Sequence, residues 1–243
     1  MAILEVKGIT KRFGGLLAVN KLDVTIEEGE IIGMIGPNGA GKTTAFNMIS
    51  GFYEEDEGRV IFRGEDITHL RPDQVCKKGL ARTFQVVKPF AQITVLENVM
   101  VGAYNHTADE RMAMNRAREI LGFLGMADQA EQLASSLPTA GRKRLELARA
   151  LATDPKMLLL DEVMGGLRPT EINEMIGLVR RIRQQGVSLL LVEHVMKVIM
   201  SLADRIVVIN HGEKIAEDVP ERIVQNKAVI DAYLGEVKTS AGS

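Results

Sequence analysis

Residues Gly36-Pro37-Asn38-Gly39-Ala40-Gly41-Lys42-Thr43 fit the pattern G-x-x-x-x-G-K-[ST] in full, and Thr44 follows. The chemistry is that of phosphate binding. Glycines let the backbone wrap closely in dihedrals other residues avoid, so that successive N–H groups converge on an anion. A helix opening directly after the loop adds its positive end. In that arrangement Lys42 reaches the terminal phosphates and the Thr43 hydroxyl holds Mg²⁺.

A second group of candidates lies far downstream. Met157-Leu158-Leu159-Leu160-Asp161-Glu162 is an apolar run ending in two carboxylates. Beside a phosphate loop, Asp161 suits the carboxylate that organises Mg²⁺. Glu162 suits the base that orients or deprotonates a water for attack on the γ-phosphate. His194 ends the run VSLLLVEH, and Gln85 follows LARTF. Alone, either would be an ordinary polar residue at a strand end; beside the motifs above, His194 becomes a candidate γ-phosphate contact. Asn20-Lys21-Leu22-Asp23 mimics an N-K-x-D guanine reader but precedes the phosphate loop, so it reads as strand.

The elements that must hold these groups alternate in type. ILEVKGI and VNKLDVTIEEGE read as strands, with a turn at Glu27–Glu30. IIGMI is a buried strand running into the phosphate loop, and AFNMISG a helix behind it. GRVIFRG and LARTF are further strands. From about Val86 to Leu151 helical periodicity takes over, in TVLENVMVGAY, ERMAMNRAREILGFLGM and RKRLELARALA, with no clear strand. After Pro155 the alternation returns: strand MLLLDEV, helix PTEINEMIGLVRRIRQQG, strand VSLLLVEH, hairpin DRIVVINHGEKIAE, then two short helices and a frayed tail KTSAGS.

Composition narrows the class. The chain has 243 residues, 46% hydrophobic and 26% charged, which suits a folded domain with a sizeable core. A formal net charge of −2 and the absence of a basic tract give no support to a nucleic-acid footprint. The single cysteine, Cys76, excludes an internal disulfide, fits a reducing setting and reads as a packing thiol; it and four scattered histidines make no metal cluster. No stretch approaches the roughly 18 uninterrupted apolar residues of a membrane span, and the N-terminus has charges too early for a signal peptide. Any work at a membrane therefore runs through a partner.

The ordered set Phe13, phosphate loop, Gln85, LPTAG, LLLDE and His194 resembles the nucleotide-binding subunits of ABC transporters over nearly the whole chain. The resemblance implies an α/β fold: a RecA-like P-loop NTPase core with an antiparallel β subdomain (1–85 and 152–243) and an inserted helical subdomain (86–151), all one ABC ATPase domain. It implies that Phe13 stacks on adenine, that Gln85 touches Mg²⁺ and water and faces the membrane subunit, and that His194 is the switch histidine. It also implies ATP and Mg²⁺ as ligands, two subunits closing head to tail over two ATP, integral membrane subunits as partners and, indirectly, a substrate-binding protein. The expected location is cytoplasmic, peripheral to the inner face of the cell membrane.

Segments such as KRFGGLLAVNKLDV, LELARALATDP and AYLGE resemble the ATP-binding subunits of branched-chain amino acid importers, which work beside a second, similar ATPase. Urea, amides, aromatic acids or an exported lipid are alternative cargoes, and a non-transport ATPase of the same fold is a further alternative. LPTAG stands where such subunits carry LSGGQ, the segment that closes over the partner's ATP. Rigid alignment puts Pro138 for serine. Shifting by one lets Thr139, Ala140 and Gly141 mimic Ser-Gly-Gly, with the Thr139 hydroxyl expected at the helix N-cap. Arg168 in GGLRPTE and Val163 after the glutamate are further departures from the usual aspartate or asparagine and proline, and neither removes a catalytic group.

Overall fold

A computed structural model describes residues 1–84 and 89–240. The chain runs β1 (Ala2–Phe13), β2 (Leu16–Glu27), β3 (Ile31–Ile35), α1 (Lys42–Ile49), β4 (Glu57–Phe62), β5 (Glu65–Asp66), α2 (Pro72–Lys77) and β6 (Leu80–Arg82). It continues through α3 (Val95–Ala103), α4 (Glu110–Phe123), α5 (Thr139–Ala152), β7 (Met157–Asp161), α6 (Pro169–Gln184), β8 (Ser188–Val192) and α7 (Met196–Leu202). It closes with β9 (Arg205–Asn210), β10 (Glu213–Asp218), α8 (Pro220–Ile223) and α9 (Lys227–Ser240).

The strands form two sheets. One is antiparallel, in the order β2-β1-β4-β5; the other runs β10-β9-β3-β8-β7-β6, parallel except for the edge strand β10. Continuous apolar runs mark strands covered on both faces, and β3, β7 and β8 are buried at every residue. Their side chains alternate between two cores. Ile31, Leu158, Leu160, Leu189 and Leu191 pack with the helical segment and α6. Ile32, Met157, Leu159, Leu190 and Val192 pack with Phe46 of α1 and the antiparallel sheet. Helices α3, α4 and α5 join the first core through Val95, Val99, Ala117, Leu121, Leu145 and Ala148.

Helix starts follow local chemistry. Thr94 and Glu97 bond reciprocally at the start of α3, and Asp109 accepts from the Met112 N–H at the start of α4. Several elements differ from the sequence expectation. The helix expected from Ala45 already begins at Lys42, inside the motif, and the strand LARTF shortens to Leu80–Arg82. Helix α2 lacked a sustained pattern in its six residues. Helix α9 runs to Ser240, three residues into the segment expected as a tail and too long for a short helix. The N-K-x-D lookalike is indeed strand: Asn20 donates to Glu213 and Asp23 accepts from the Gly8 N–H.

Candidate active site

At the C-terminal end of β3 the chain turns through the phosphate loop into α1, so the loop N–H groups and the first turn of the helix face one space. Gly41, the cap residue, has φ 103 and Gly39 has φ 75, conformations that L side chains rarely adopt. At Gly36 a Cβ would lie 2.0 Å from the Ile209 carbonyl oxygen, so only glycine fits between the loop and β9. The buried Lys42 curls over the loop and donates to the carbonyls of Gly36 at 2.6 Å and Pro37 at 2.8 Å.

A cavity of about 470 Å³ opens over this loop. Phe13, residues 38–44, Glu162, His194 and His211 all line it. The structure therefore brings together four of the candidate groups that lie far apart in sequence: Phe13, the loop, Glu162 and His194. Phe13 stands half-exposed at the end of β1, its ring edge-on to Tyr53 at 5.4 Å. Asp161 sits at the buried end of β7, and Glu162 follows it at the cavity wall. The Nε2 of His194 is 2.8 Å from Oε1 of Glu162. That contact can hold the carboxylate in one orientation toward the space above the loop.

The backbone of Glu162 is unusual. Its φ of 50 is in the left-handed region, where a non-glycine residue stores about 1–3 kcal/mol and persists only if its surroundings fix it. Its N–H donates to the Val192 carbonyl at 2.9 Å, tying β7 to β8 at the point where the chain turns away.

Asp161 is almost inaccessible, at 1% exposure. Its Oδ2 is 3.4 Å from the Arg82 guanidinium, while the equally buried Oδ1 has no hydrogen-bond partner. Burial pushes its pKa up, and the Arg82 charge works against that shift. A buried carboxylate oxygen left without a donor is the chemistry a divalent cation satisfies, so Asp161 fits Mg²⁺, and Thr43, which lines the cavity, carries a hydroxyl of the kind Mg²⁺ accepts. Glu193, next to His194, is also buried; loss of hydration pushes its pKa to about 7, and its Oε1 accepts from the Met164 N–H at 2.8 Å.

The remaining candidates stand elsewhere. Gln85 lies outside the described residues. Thr139, Ala140 and Gly141 form the first turn of α5. Contrary to expectation, Thr139 is not the N-cap. Pro138 is, with φ −66 and ψ 169, and its carbonyl takes the first helical bond from the Arg142 N–H. Proline's locked φ already suits that turn, which leaves the threonine hydroxyl without a capping role. Arg168 occupies the cap position of α6, its N–H bonded to Glu171 Oε2 at 2.7 Å. Cys76 is partly buried, and burial raises its thiol pKa, in keeping with an inert packing role.

Sequence reasoning missed Arg82, Lys143, Glu193 and His211. His211 sits in the two-residue turn between β9 and β10 with φ 48, and the next residue, Gly212, donates its N–H to the Ala40 carbonyl. No motif marks these residues, because each acts through partners distant in sequence. Arg82 is 79 residues from Asp161.

The chain as a whole is similar to known proteins. The family model described as ABC transporter matches residues 19–165. A second, described as branched-chain amino acid ATP-binding cassette transporter, matches residues 213–239. The chain is 42% identical to the high-affinity branched-chain amino acid transport ATP-binding protein BraF of Pseudomonas aeruginosa, over 96% of this chain and 98% of that protein. It is 39% identical to the corresponding LivG protein of Escherichia coli with the same coverage. Among solved structures it resembles a nucleotide-free ATP-binding cassette from an ABC transporter (30% identity, TM-score 0.88, 96% and 99% of the two chains). The ADP conformation of an ATP-binding cassette of an ABC transporter matches as well (30% identity, TM-score 0.88, 97% and 99%).

Proposed function

The chain belongs to the ABC transporter family of ATP-binding subunits, and from that premise we propose that it drives uptake of branched-chain amino acids by hydrolysing ATP at the cavity over the phosphate loop. The observation that carries the catalytic reading is the convergence of the Lys42 loop, Glu162 and His194 on one cavity.

The residues divide the work as follows. The loop N–H groups and the α1 terminus receive the phosphates, and Lys42 exchanges its carbonyl contacts for the β- and γ-phosphates. Phe13 offers its exposed ring to adenine. Glu162, oriented by His194, accepts a proton from the attacking water. His194 then contacts the γ-phosphate. Thr43 and Asp161, with Gln85, would hold Mg²⁺, which supplies charge neutralisation at the β- and γ-phosphates.

Partners follow from the same premise. Among the described residues no helix is long and apolar enough to cross a membrane, so integral membrane subunits supply the path. We infer that the chain works at the inner face of the cell membrane, a reading supported by its similarity to transport ATP-binding proteins. Between the core and the helical segment lies a second cavity of about 530 Å³, bordered by Phe52, Arg82, Phe84, Val101, Tyr104 and Arg149. Its partly aromatic rim suits a short helix of a membrane subunit. A second ABC ATPase subunit completes the head-to-tail pair through the first turn of α5, and a substrate-binding protein delivers the cargo.

Vesicles holding the chain with its membrane subunits should accumulate leucine, isoleucine or valine in step with ATP hydrolysis, and Lys42→Ala should remove both together with nucleotide affinity. Accumulation of urea or an amide in place of these amino acids would reassign the cargo. Uptake that survives Lys42→Ala would overturn the energising role.

A further inference from the structure

We propose that Lys143, on the helix whose first turn carries Thr139, Ala140 and Gly141, is a positioning residue for hydrolysis that clamps the peptide of Glu162. The proposal rests on the reading of Glu162 as general base.

The Nζ of Lys143 donates to the Glu162 carbonyl oxygen at 2.7 Å. That carbonyl belongs to the one residue of the strand end held at positive φ, so its direction decides where the side chain points. Two main-chain bonds also hold Glu162, one on each side of its Cα. The Glu162 N–H reaches Val192, and the Gly165 N–H donates back to the Glu162 carbonyl at 3.2 Å. Those bonds survive any side-chain change. Lys143 adds a charge-assisted bond from a different part of the molecule, and such bonds are roughly twice as strong as neutral ones.

The surroundings suit this role. Lys143 is half-buried, and that burial disfavours its charge, while Glu193, Glu162 and Asp161 favour it. Glu193 in turn holds the loop two residues on, at the Met164 N–H. The loop after β7 is thus gripped by a cation at its first residue and an anion at its third. Lys143 also stands one helical turn after Thr139, so both lie on the same face of α5. The face that would close over a second subunit's nucleotide therefore also holds the base of this subunit's own site.

The test uses the purified chain, comparing Lys143→Met, Lys143→Arg and Glu162→Gln for kcat, KM for ATP and melting temperature. Lys143→Met should lower kcat by about ten- to a hundredfold with KM for ATP unchanged, and Lys143→Arg should recover most of the loss. Lys143→Met added to Glu162→Gln should cost little more than Glu162→Gln alone, because the two act as one unit. A wild-type kcat in Lys143→Met beside an inactive Glu162→Gln would overturn the clamp and leave the base intact. Normal turnover in Glu162→Gln would remove the base itself. A Lys143→Met protein with reduced melting temperature and unchanged kcat would make the lysine a packing residue only. If that variant does not fold, Lys143→Gln, which keeps a donor without charge, is read by the same criteria.

Discussion

The two walls of the cavity over the loop at residues 36–44 are built by opposite means. The wall from Gly36 to Thr44 is main chain: its donors are N–H groups, its shape comes from glycine dihedrals, and it is contiguous in sequence. The wall around Glu162 is side chain. His194 and Arg82, from the end of β8 and from β6, contact the two carboxylates, while Lys143 of α5 and Glu193 hold the main chain of Glu162 and Met164. A main-chain wall fails when any Cβ intrudes. A side-chain wall fails only when a particular functional group is lost, and its failures should be specific to hydrolysis or to the stability of one charge.

The sharpest way to separate the walls is Glu162→Gln. Turnover should fall by about 10²- to 10⁴-fold, the usual contribution of a general base, with ATP affinity retained because the phosphate wall is untouched. Equal losses of affinity and turnover would mean the walls are not separable. Arg82→Met comes next. Arg82 is the cation beside Asp161, it bonds Asn47 at 2.7 Å, and its guanidinium lies 5.1 and 4.9 Å from the Phe52 and Phe84 ring centroids. Removing one partner of a buried pair costs about 3–5 kcal/mol. Denaturant unfolding should show that loss, and wild-type stability would mean Asp161 does not need the arginine.

On the main-chain wall, Gly36→Ala and Gly39→Ala form an internal control. A Cβ at Gly36 overlaps the Ile209 carbonyl, whereas at Gly39, with φ 75, it meets nothing within 4 Å. The first should cost about 3 kcal/mol by overpacking. The second should cost about 1–2 kcal/mol, from the dihedral alone. Equal falls in melting temperature would show that the wall's glycines serve dihedral freedom and not close approach to β9.

The same division explains what could be read from sequence. The loop at residues 36–44 stands out as a candidate because its residues are adjacent and its flanking strand and helix have strong patterns. The apolar strand before Asp161 marked the two carboxylates for the same reason. Arg82, Lys143 and Glu193 were not readable, since a lone charge in LARTF, in RKRLELARALA or before His194 carries no spacing that names its partner. Threonine's capping preference points to Thr139, whereas α5 takes its N-cap at Pro138, whose fixed φ suits the turn. Helix α2 was missed since its six residues are too few for a period to declare itself.

The smallest effect concerns Glu193, and it tests whether the side-chain wall holds a charge at a cost. Burial raises its pKa from 4.5 to about 7. The folded chain therefore keeps this proton over a range where the unfolded chain has shed it. Between about pH 4.5 and 7 the folded state binds more protons, so this residue's contribution to stability falls as pH rises, and the full penalty stands above pH 7. Glu193→Gln keeps an oxygen for the Met164 N–H and has no charge to bury. Its stability relative to the parent should therefore rise by about 2 kcal/mol between pH 5 and pH 8, read as the difference in denaturation midpoints at the two pH values. Comparing the two proteins at each pH cancels the other titrating groups, including Glu55, whose pKa burial also raises to about 7. A difference that stays constant with pH would mean that Glu193 loses no hydration on folding.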